Sequence, residues 1–258
     1  KPLKIIVLGL RYISNFTDFD PFMYEEDVEL QYSLDEADIR SADLIIIPGS
    51  KNTVSDLILL REHGIEDSVK SAVNKGCMLV GICGGYQMLG QKILDPYGVE
   101  SGSNEIDAMG LLDTVTTFDK TKTTCQVEAQ YTAGFRDWGS GVSGKLKGYE
   151  IHMGHTTGDI GLFELKRFDN SELISDGSVK GNVWGTYMHG IFDNDDFRTA
   201  LLNSIRKKKG LPVQETGFNY HIKKEQAIDR WAGILKKSVD VRFMLRQVGM
   251  EDRMAKDK

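Results

Sequence analysis

One cysteine of this chain lies in a sequence context that favours nucleophilic chemistry. Cys83 follows the apolar run 78–82 and precedes Gly84, Gly85 and an amphipathic segment. This order predicts a strand, a sharp turn and a helix, with the thiol at the turn and small residues accepting the strained backbone. The free N–H groups at the start of such a helix favour the thiolate, the nucleophilic form of cysteine. We therefore predict that Cys83 is a nucleophile rather than an inert buried thiol.

His189 is the histidine best placed to act as a general base. It follows the apolar stretch 183–187 directly, so it should stand at the carboxyl end of a strand, on the same rim as Cys83. His152 and His155 form an H-x-x-H pair, but no third ligand accompanies them at a suitable spacing, so we predict no metal site. A thiol and a histidine at one rim are what acyl chemistry at a cysteine requires.

Backbone N–H groups are predicted to complete the site. The expected oxyanion donors are the Gly84 N–H and an N–H of the Gly49-Ser50 turn, because a glycine turn lets the backbone approach an oxygen closely. With Cys83 and His189 they predict an enzyme that attacks an amide or an ester. The residues alone do not name the substrate.

The elements that must position these residues indicate an α/β protein. Short apolar strands alternate with helices: strands at 5–8, 28–33, 44–47 and 78–82, and helices from Thr53 to about Arg61 and from Ile65 to about Lys75. This alternation predicts a mostly parallel central sheet flanked by helices, with a flavodoxin-like core. We expect Thr53 to cap its helix, with Asp56 as the capping-box partner. From about 111 to 191 the pattern predicts added strands, with a hairpin turn at Asp176-Gly177.

The end of the chain reads as helical. Phe197, Leu201, Leu202 and Ile205 share one face of a predicted helix, and a later helix carries a second apolar series that we expect to pack in the core: Ile228, Trp231, Ala232, Leu235 and Val239. We predict one domain over 1–249 and a charged, disordered tail over 250–258.

Composition excludes several classes of protein. The chain has 258 residues, 40% of them hydrophobic and 27% charged, which is ordinary for a soluble globular protein. The 32 basic and 38 acidic residues form no basic stripe, so we predict no nucleic-acid partner. No apolar run is long enough for a membrane span, so we predict no membrane association. Three cysteines, Cys77, Cys83 and Cys125, lack metal-like spacing and fit a reducing cytoplasm.

The elbow at 81–90 resembles the nucleophile turn of class I (triad-type) glutamine amidotransferases. More narrowly, it resembles the branch found in cobyric acid synthase. Four further stretches resemble that branch and occur in the same order: 13–21, 48–53, 148–154 and 185–192. Together the five stretches extend over most of the chain, so the set is far more specific than the elbow alone.

The resemblance implies a two-part enzyme of cobalamin biosynthesis. In that family a synthetase domain uses ATP and magnesium to activate side-chain carboxylates of adenosylcobyrinic acid a,c-diamide, and the amidotransferase domain supplies ammonia from glutamine. This sequence has no G-x-x-x-x-G-K-[ST] loop, so we expect the synthetase domain to be absent from this chain, which would be a piece cut near a domain boundary. We expect no cofactor here. The partners implied are glutamine, the synthetase domain and the corrinoid acceptor.

The resemblance also assigns roles. Cys83 would attack the γ-amide of glutamine, His189 would protonate the departing ammonia, and Gln87 would face the substrate. Triad enzymes usually carry Glu two residues after the histidine, but this chain has Ile191 there. Another group must then orient His189, and the sequence offers Glu150 or Asp193.

Other interpretations stay open at this point. Asn15 and Asp18 either line the pocket or hold a turn through Asx hydrogen bonds. Cobyrinic acid a,c-diamide synthase and the lipid II amidotransferase share the Cys and His placement. A non-catalytic docking domain and a related cysteine peptidase are further alternatives.

Overall fold

The computed structural model describes residues 2–132, 145–169, 171–215 and 217–249. It divides the chain into two units, Lys1–Phe218 and Asn219–Lys258. The division falls inside the range 1–249, for which a single domain stays a prediction. The predicted tail at 250–258 lies outside the described residues.

Strands and short helices make up the first unit. In chain order, the strands found in the described ranges are β1 (Leu3–Leu8), β2 (Ile13–Ser14), β3 (Val28–Ser33), β4 (Leu44–Ile47), β5 (Gly49–Ser50), β6 (Met78–Ile82), β7 (Lys92–Leu94), β8 (Glu105–Asp107), β9 (Thr114–Tyr131), β10 (Leu146–Gly158), β11 (Phe163–Arg167), β12 (Leu173–Asp176), β13 (Ser178–Lys180) and β14 (Val183–Thr186). The helices are α1 (Glu36–Ser41), α2 (Thr53–Glu62), α3 (Ile65–Asn74), α4 (Gly84–Leu89), α5 (Asp195–Lys208), α6 (Tyr220–Ser238) and α7 (Val241–Gln247), and 3-10 helices occupy Phe16–Tyr24 and Ile191–Asp193. Helices α6 and α7 belong to the second unit.

The central sheet has the strand order β13-β14-β6-β4-β1-β3 across the described residues. Its members from β14 to β3 run parallel, and β13 pairs antiparallel with β14. Leu44 and Ile46 of β4 join one apolar cluster, while Ile45 and Ile47 join another. Both faces of the sheet are therefore covered around β4, which is why inner strands such as β4 are unbroken apolar runs. This confirms the predicted α/β class with a mostly parallel sheet flanked by helices.

A further sheet contains the strands β9 to β12 of the range 111–191, together with β7 and β8, which precede that range, whereas β13 and β14 join the central sheet. The order of the further sheet is β12-β11-β9-β7-β8, and β10 pairs antiparallel with the long strand β9. Strand β10 returns towards the rim of the central sheet, where Tyr149 and His189 exchange two backbone hydrogen bonds of 2.8 and 3.2 Å. The second sheet thus brings one strand over the carboxyl ends of the first.

Three local predictions need correction. The N-cap of α2 is Asn52, whose side chain accepts the N–H three residues later at 2.9 Å, and not Thr53. Asp56 is not a capping-box partner, because its buried carboxylate accepts the Ser50 hydroxyl at 2.6 Å. Asp176-Gly177 is not a hairpin turn, since β12 belongs to the second sheet and β13 to the central one.

The helical face on α5 is confirmed, whereas the later one is wrong. Phe197, Leu201, Leu202 and Ile205 are all buried. On α6, Trp231 is 65% exposed and Ile228 53% exposed, so this series does not form a core. Apolar residues at helical spacing indicate an apolar face, but the spacing does not say whether that face is covered. Among the described helices, none is both long and apolar enough to cross a membrane.

Candidate active site

Cys83 occupies a strained turn between β6 and α4. Its backbone has φ 52° and ψ −108°, a conformation that residues with a side chain rarely adopt. Such strain costs on the order of 1–3 kcal/mol and persists where the surrounding structure enforces it. The turn separates a buried strand from a buried helix, as the sequence predicted. It therefore holds the thiol at the carboxyl rim of the parallel sheet, next to the first turn of α4.

Two glycines let α4 lie against the neighbouring strands. A Cβ on Gly85 would lie 2.0 Å from the Ile47 carbonyl oxygen, so only glycine fits there without moving the backbone. A Cβ on Gly84 would lie 3.0 Å from the Ser50 backbone nitrogen. The two predicted oxyanion elements, the Gly84 N–H and the Gly49-Ser50 turn, are therefore neighbours in the fold.

The thiol opens onto a cavity of about 250 Å³. Cys83 is 7% exposed, and its Sγ lies 3.6 Å from the Ile151 carbonyl oxygen of β10. The cavity walls come from the paired strands β2 and β5, from β9 and β10 of the second sheet, from the first turns of α2 and α4, and from the loops beside them: Ser14, Asn15, Ser50, Lys51, Thr53, Cys83, Gln87, Glu100, Lys122, Ile151, His152 and Met153. A ligand in this space would contact the nucleophile directly.

His189 is buried beside the elbow and is held from several sides. Its Nδ1 lies 2.6 Å from Asp18 Oδ2, and the other oxygen of that carboxylate accepts the Gly190 N–H at 3.2 Å. The Tyr149 ring stacks on the imidazole, with ring centres 5.2 Å apart. Its Nε2 is buried and has no hydrogen-bond partner among the described residues. Burial alone lowers the pKa of His189, but Asp18 and the nearby Cys83 thiol raise that pKa to about 10.

The carboxylate that bonds His189 is neither of the two that the sequence suggested. Glu150 is turned away into an ion pair with Arg167 at 2.8 Å and a contact with His152 at 3.2 Å. Asp193 is not the residue on Nδ1 either, because Asp18 occupies that position. The Asx-turn interpretation of Asp18 is wrong, because the Asp18 carboxylate accepts the Gly190 N–H, 172 residues away in sequence, and not the N–H of a neighbouring turn residue.

Gln87 lines the cavity but is firmly tied to the protein. It is 4% exposed, accepts the Thr53 hydroxyl at 3.2 Å and donates to Met153 O and Tyr187 OH at 3.2 Å. Gln87 is therefore not an exposed helix residue. Its predicted contact with substrate stays a prediction, and its bonds show how α4, α2 and β10 are held together around the cavity.

Three charged side chains around the cavity were not foreseen. Glu100 accepts the Val54 N–H at 3.1 Å. Burial raises the pKa of Glu100 to about 7, although the hydrogen bonds from the Val54 and Thr53 N–H groups at the start of α2 act to lower it. Asp95 fixes the loop, because its carboxylate accepts the Glu100 N–H at 2.9 Å. Lys51 and Lys122 also line the cavity. One acidic and two basic side chains thus line the cavity that holds the thiol.

No group of three or more potential metal ligands occurs in the part of the chain that the structure describes. His152 does not face a metal position with His155. It stacks on Tyr187 at 3.9 Å and contacts Gly154 O at 3.1 Å. These bonds give His152 a packing role in the wall of the cavity.

A sequence profile of the CobB/CobQ-like glutamine amidotransferase domain matches residues 4–197. The chain belongs to this family. A cobyric acid synthase of Thermodesulfovibrio yellowstonii is 47% identical to this amidotransferase chain over 249 residues, covering 96% of it and 49% of that protein. A cobyric acid synthase of Clostridium botulinum is 41% identical over 256 residues, covering 97% of the chain and 50% of that protein. The chain therefore spans about half the length of these relatives.

Solved structures agree with this family at the level of the fold. PurLQS from Thermotoga maritima superposes with a TM-score of 0.57 at 16% identity, over 81% of this amidotransferase chain and 100% of that chain. A crystal structure of a glutamine amidotransferase gives a TM-score of 0.54 at 18% identity, over 80% of this chain and 99% of that chain. At such identities the likeness supports the fold and carries no argument about individual residues.

Proposed function

We propose that this chain is the glutamine-hydrolysing part of a cobyric acid synthase, with Cys83 as nucleophile and His189 as acid and base. The observation that carries the proposal is the juxtaposition at the elbow. A strained cysteine opens onto a cavity, and the buried Nε2 of the adjacent His189 lacks a hydrogen-bond partner among the described residues. A histidine beside a cysteine can hold the proton that the thiol gives up, and the raised pKa of His189, about 10, favours that protonated form.

The reaction follows from this arrangement. His189 holds the proton that the Cys83 thiol gives up, and Cys83 Sγ bonds to the γ-amide carbon of glutamine. The oxygen of the tetrahedral intermediate is stabilised by the Gly84 N–H and the backbone at Gly49-Ser50. His189 then gives the proton to the amide nitrogen, the C–N bond breaks, and ammonia leaves a γ-glutamyl thioester. Water attacks that thioester, His189 takes its proton and returns it to sulfur, and glutamate departs.

The charges around the cavity suit an amino-acid substrate. Glutamine carries an α-ammonium and an α-carboxylate, and the cavity offers Glu100 for the first and Lys51 and Lys122 for the second. Glu100 is held at the first turn of α2 by the Val54 N–H. Ionised Glu100 would be paired by the incoming ammonium group, which offsets the cost of its burial.

The biosynthetic role rests on the relatives. Both relatives described above are named cobyric acid synthase and are about twice as long as this chain. We propose that ATP and magnesium act in the additional half, and that the ammonia amidates side-chain carboxylates of adenosylcobyrinic acid a,c-diamide there. A cytoplasmic location stays a prediction.

The test uses a full-length synthase that contains this chain. Cys83→Ala should abolish glutamine-dependent amidation and leave amidation from free ammonia intact, because only the supply of ammonia needs the thiol. Cys77→Ala is the matched control, since Cys77 does not line the cavity. Loss of both activities in Cys83→Ala, with Cys77→Ala unaffected, would assign the elbow to another role. Amidation of cobyrinic acid or of lipid II instead would indicate a neighbouring branch of the family.

A further inference from the structure

We infer that Asp18 is the positioning residue for His189, taking the place of the carboxylate that triad enzymes carry two residues after the histidine. The inference rests on the proposed function. In this chain the position two residues after His189 is Ile191, which is 1% exposed and packs in the apolar core. A core side chain there cannot orient an imidazole, so the carboxylate must come from elsewhere.

The geometry around Asp18 is that of a dedicated acceptor. Its Oδ2 lies 2.6 Å from His189 Nδ1 and its Oδ1 accepts the Gly190 N–H at 3.2 Å, so each oxygen has its own donor. Asp18 is 4% exposed. It does not line the cavity that holds Cys83. Asp18 therefore reaches the reaction only through the imidazole.

The bond fixes which nitrogen of His189 carries the proton. A carboxylate accepts, so Nδ1 must be the N–H, and the lone pair of the neutral ring then lies on Nε2, next to the thiol. The negative charge also stabilises the imidazolium that forms when Cys83 loses its proton. The orientation of the imidazole and the negative charge of Asp18 therefore both favour a His189 that holds the Cys83 proton at Nε2.

A rigid element carries the carboxylate to this position. The 3-10 helix Phe16–Tyr24 begins after Asn15, whose φ of 51° turns the chain sharply. Phe19 and Phe22 of this helix contact the Phe192 ring, with ring centres 6.2 and 4.9 Å apart. The helix is thus packed against the segment that follows His189, which fixes the distance between the two partners.

Asp18→Asn is the sharpest variant, because the amide has nearly the same shape. An amide has one acceptor and one donor, but this site presents two donors, so one bond must be lost or the histidine must adopt the other tautomer. We expect kcat for glutamine hydrolysis to fall by about a thousandfold or more, as for other histidines that lose such a partner. KM should change by no more than about threefold, because Asp18 does not line the cavity.

A pH profile separates positioning from a merely structural role. The groups that face the imidazole are Asp18, the Cys83 thiol and the Tyr149 ring. The pH profile of kcat/KM for glutamine hydrolysis should have its basic limb shifted down by at least about one pH unit in Asp18→Asn, because that limb reports loss of the imidazolium proton and the charge that favours the imidazolium is gone. Destabilisation alone would lower the amount of reactive protein without moving that limb.

Two further variants complete the test. Asp20→Asn, in the same 3-10 helix, should keep the wild-type profile. Asp18→Ala should be partly rescued by added formate, which can restore an anion to the vacated space, so the inference stays testable even if Asp18→Asn folds poorly. A wild-type kcat and an unshifted limb in Asp18→Asn would overturn it. If Cys83 of the wild type did not react with a glutamine analogue at all, the proposed function would fail instead.

Discussion

Gly85→Ala tests the packing that holds the nucleophile. The added Cβ would lie 2.0 Å from Ile47 O and 2.6 Å from Ile47 C, both backbone atoms, whereas ordinary contacts begin at 3.4 Å. Helix α4 must therefore move away from β4 by more than an ångström, carrying Gly84 with it. Overpacking of cores typically costs about 1–3 kcal/mol, and a clash of backbone with backbone should reach or exceed about 3 kcal/mol.

The assay is urea unfolding followed by the fluorescence of buried Trp184, together with the rate of Cys83 alkylation. We expect a lower free energy of unfolding and slower alkylation, because the first turn of α4 is displaced from the thiol. Gly102→Ala is the matched control: a Cβ there meets nothing within 4 Å, so stability should be unchanged or raised by up to about 1 kcal/mol. Equal stability and equal alkylation in Gly85→Ala and wild type would refute this account of the elbow.

Three further predictions concern charge and reactivity. Glu100→Gln should raise KM for glutamine. In the wild type, KM should fall roughly tenfold between about pH 6 and about pH 8, because the Glu100 carboxyl, with its pKa of about 7, ionises over this range, and the variant should lose this fall. A wild-type KM that does not vary over this range would contradict the prediction. Arg198→Ala should lower the free energy of unfolding by about 3–5 kcal/mol, since it leaves the buried Glu25 carboxylate without its 2.8 Å partner. Arg40→Ala, which removes an exposed ion pair, should lower it by no more than about 0.5 kcal/mol. Similar losses of unfolding free energy in the two variants, measured by urea titration, would argue against a buried pair. Cys77 should resist iodoacetamide at about pH 8, because burial raises the pKa of its thiol to about 12. Rapid labelling of Cys77, located by peptide mapping, would be inconsistent with this burial.

The sequence predicted the central sheet well because burial leaves a strong local signal. Strands covered on both faces become unbroken apolar runs, and two of them have the predicted bounds: Leu44–Ile47 and Met78–Ile82. The edge strand Val28–Ser33 also has its predicted bounds, although it is not an apolar run. The elbow was predictable for a similar reason, since the run into Cys83 and its glycines are adjacent in sequence. Features that depend on neighbours within a few residues can be inferred from the chain alone.

The partner of His189 could not be predicted in this way. Asp18 lies 171 residues away along the chain, and nothing near it in sequence indicates that the 3-10 helix packs beside the histidine. Glu100 was missed for the same reason, because it reaches the cavity from a loop held by Asp95. The apolar face of α6 shows the opposite limit: periodicity identified the face correctly but could not tell that Trp231 is exposed.

The most direct test of the central claim is intact-mass labelling of this chain with a glutamine-analogue electrophile such as diazo-oxo-norleucine, followed by peptide mapping. The account predicts a single adduct on Cys83 that excess glutamine prevents, because the cavity that binds glutamine holds the thiol. Labelling distributed over Cys77, Cys83 and Cys125 without protection by glutamine would contradict it, and so would a folded protein that takes up no adduct.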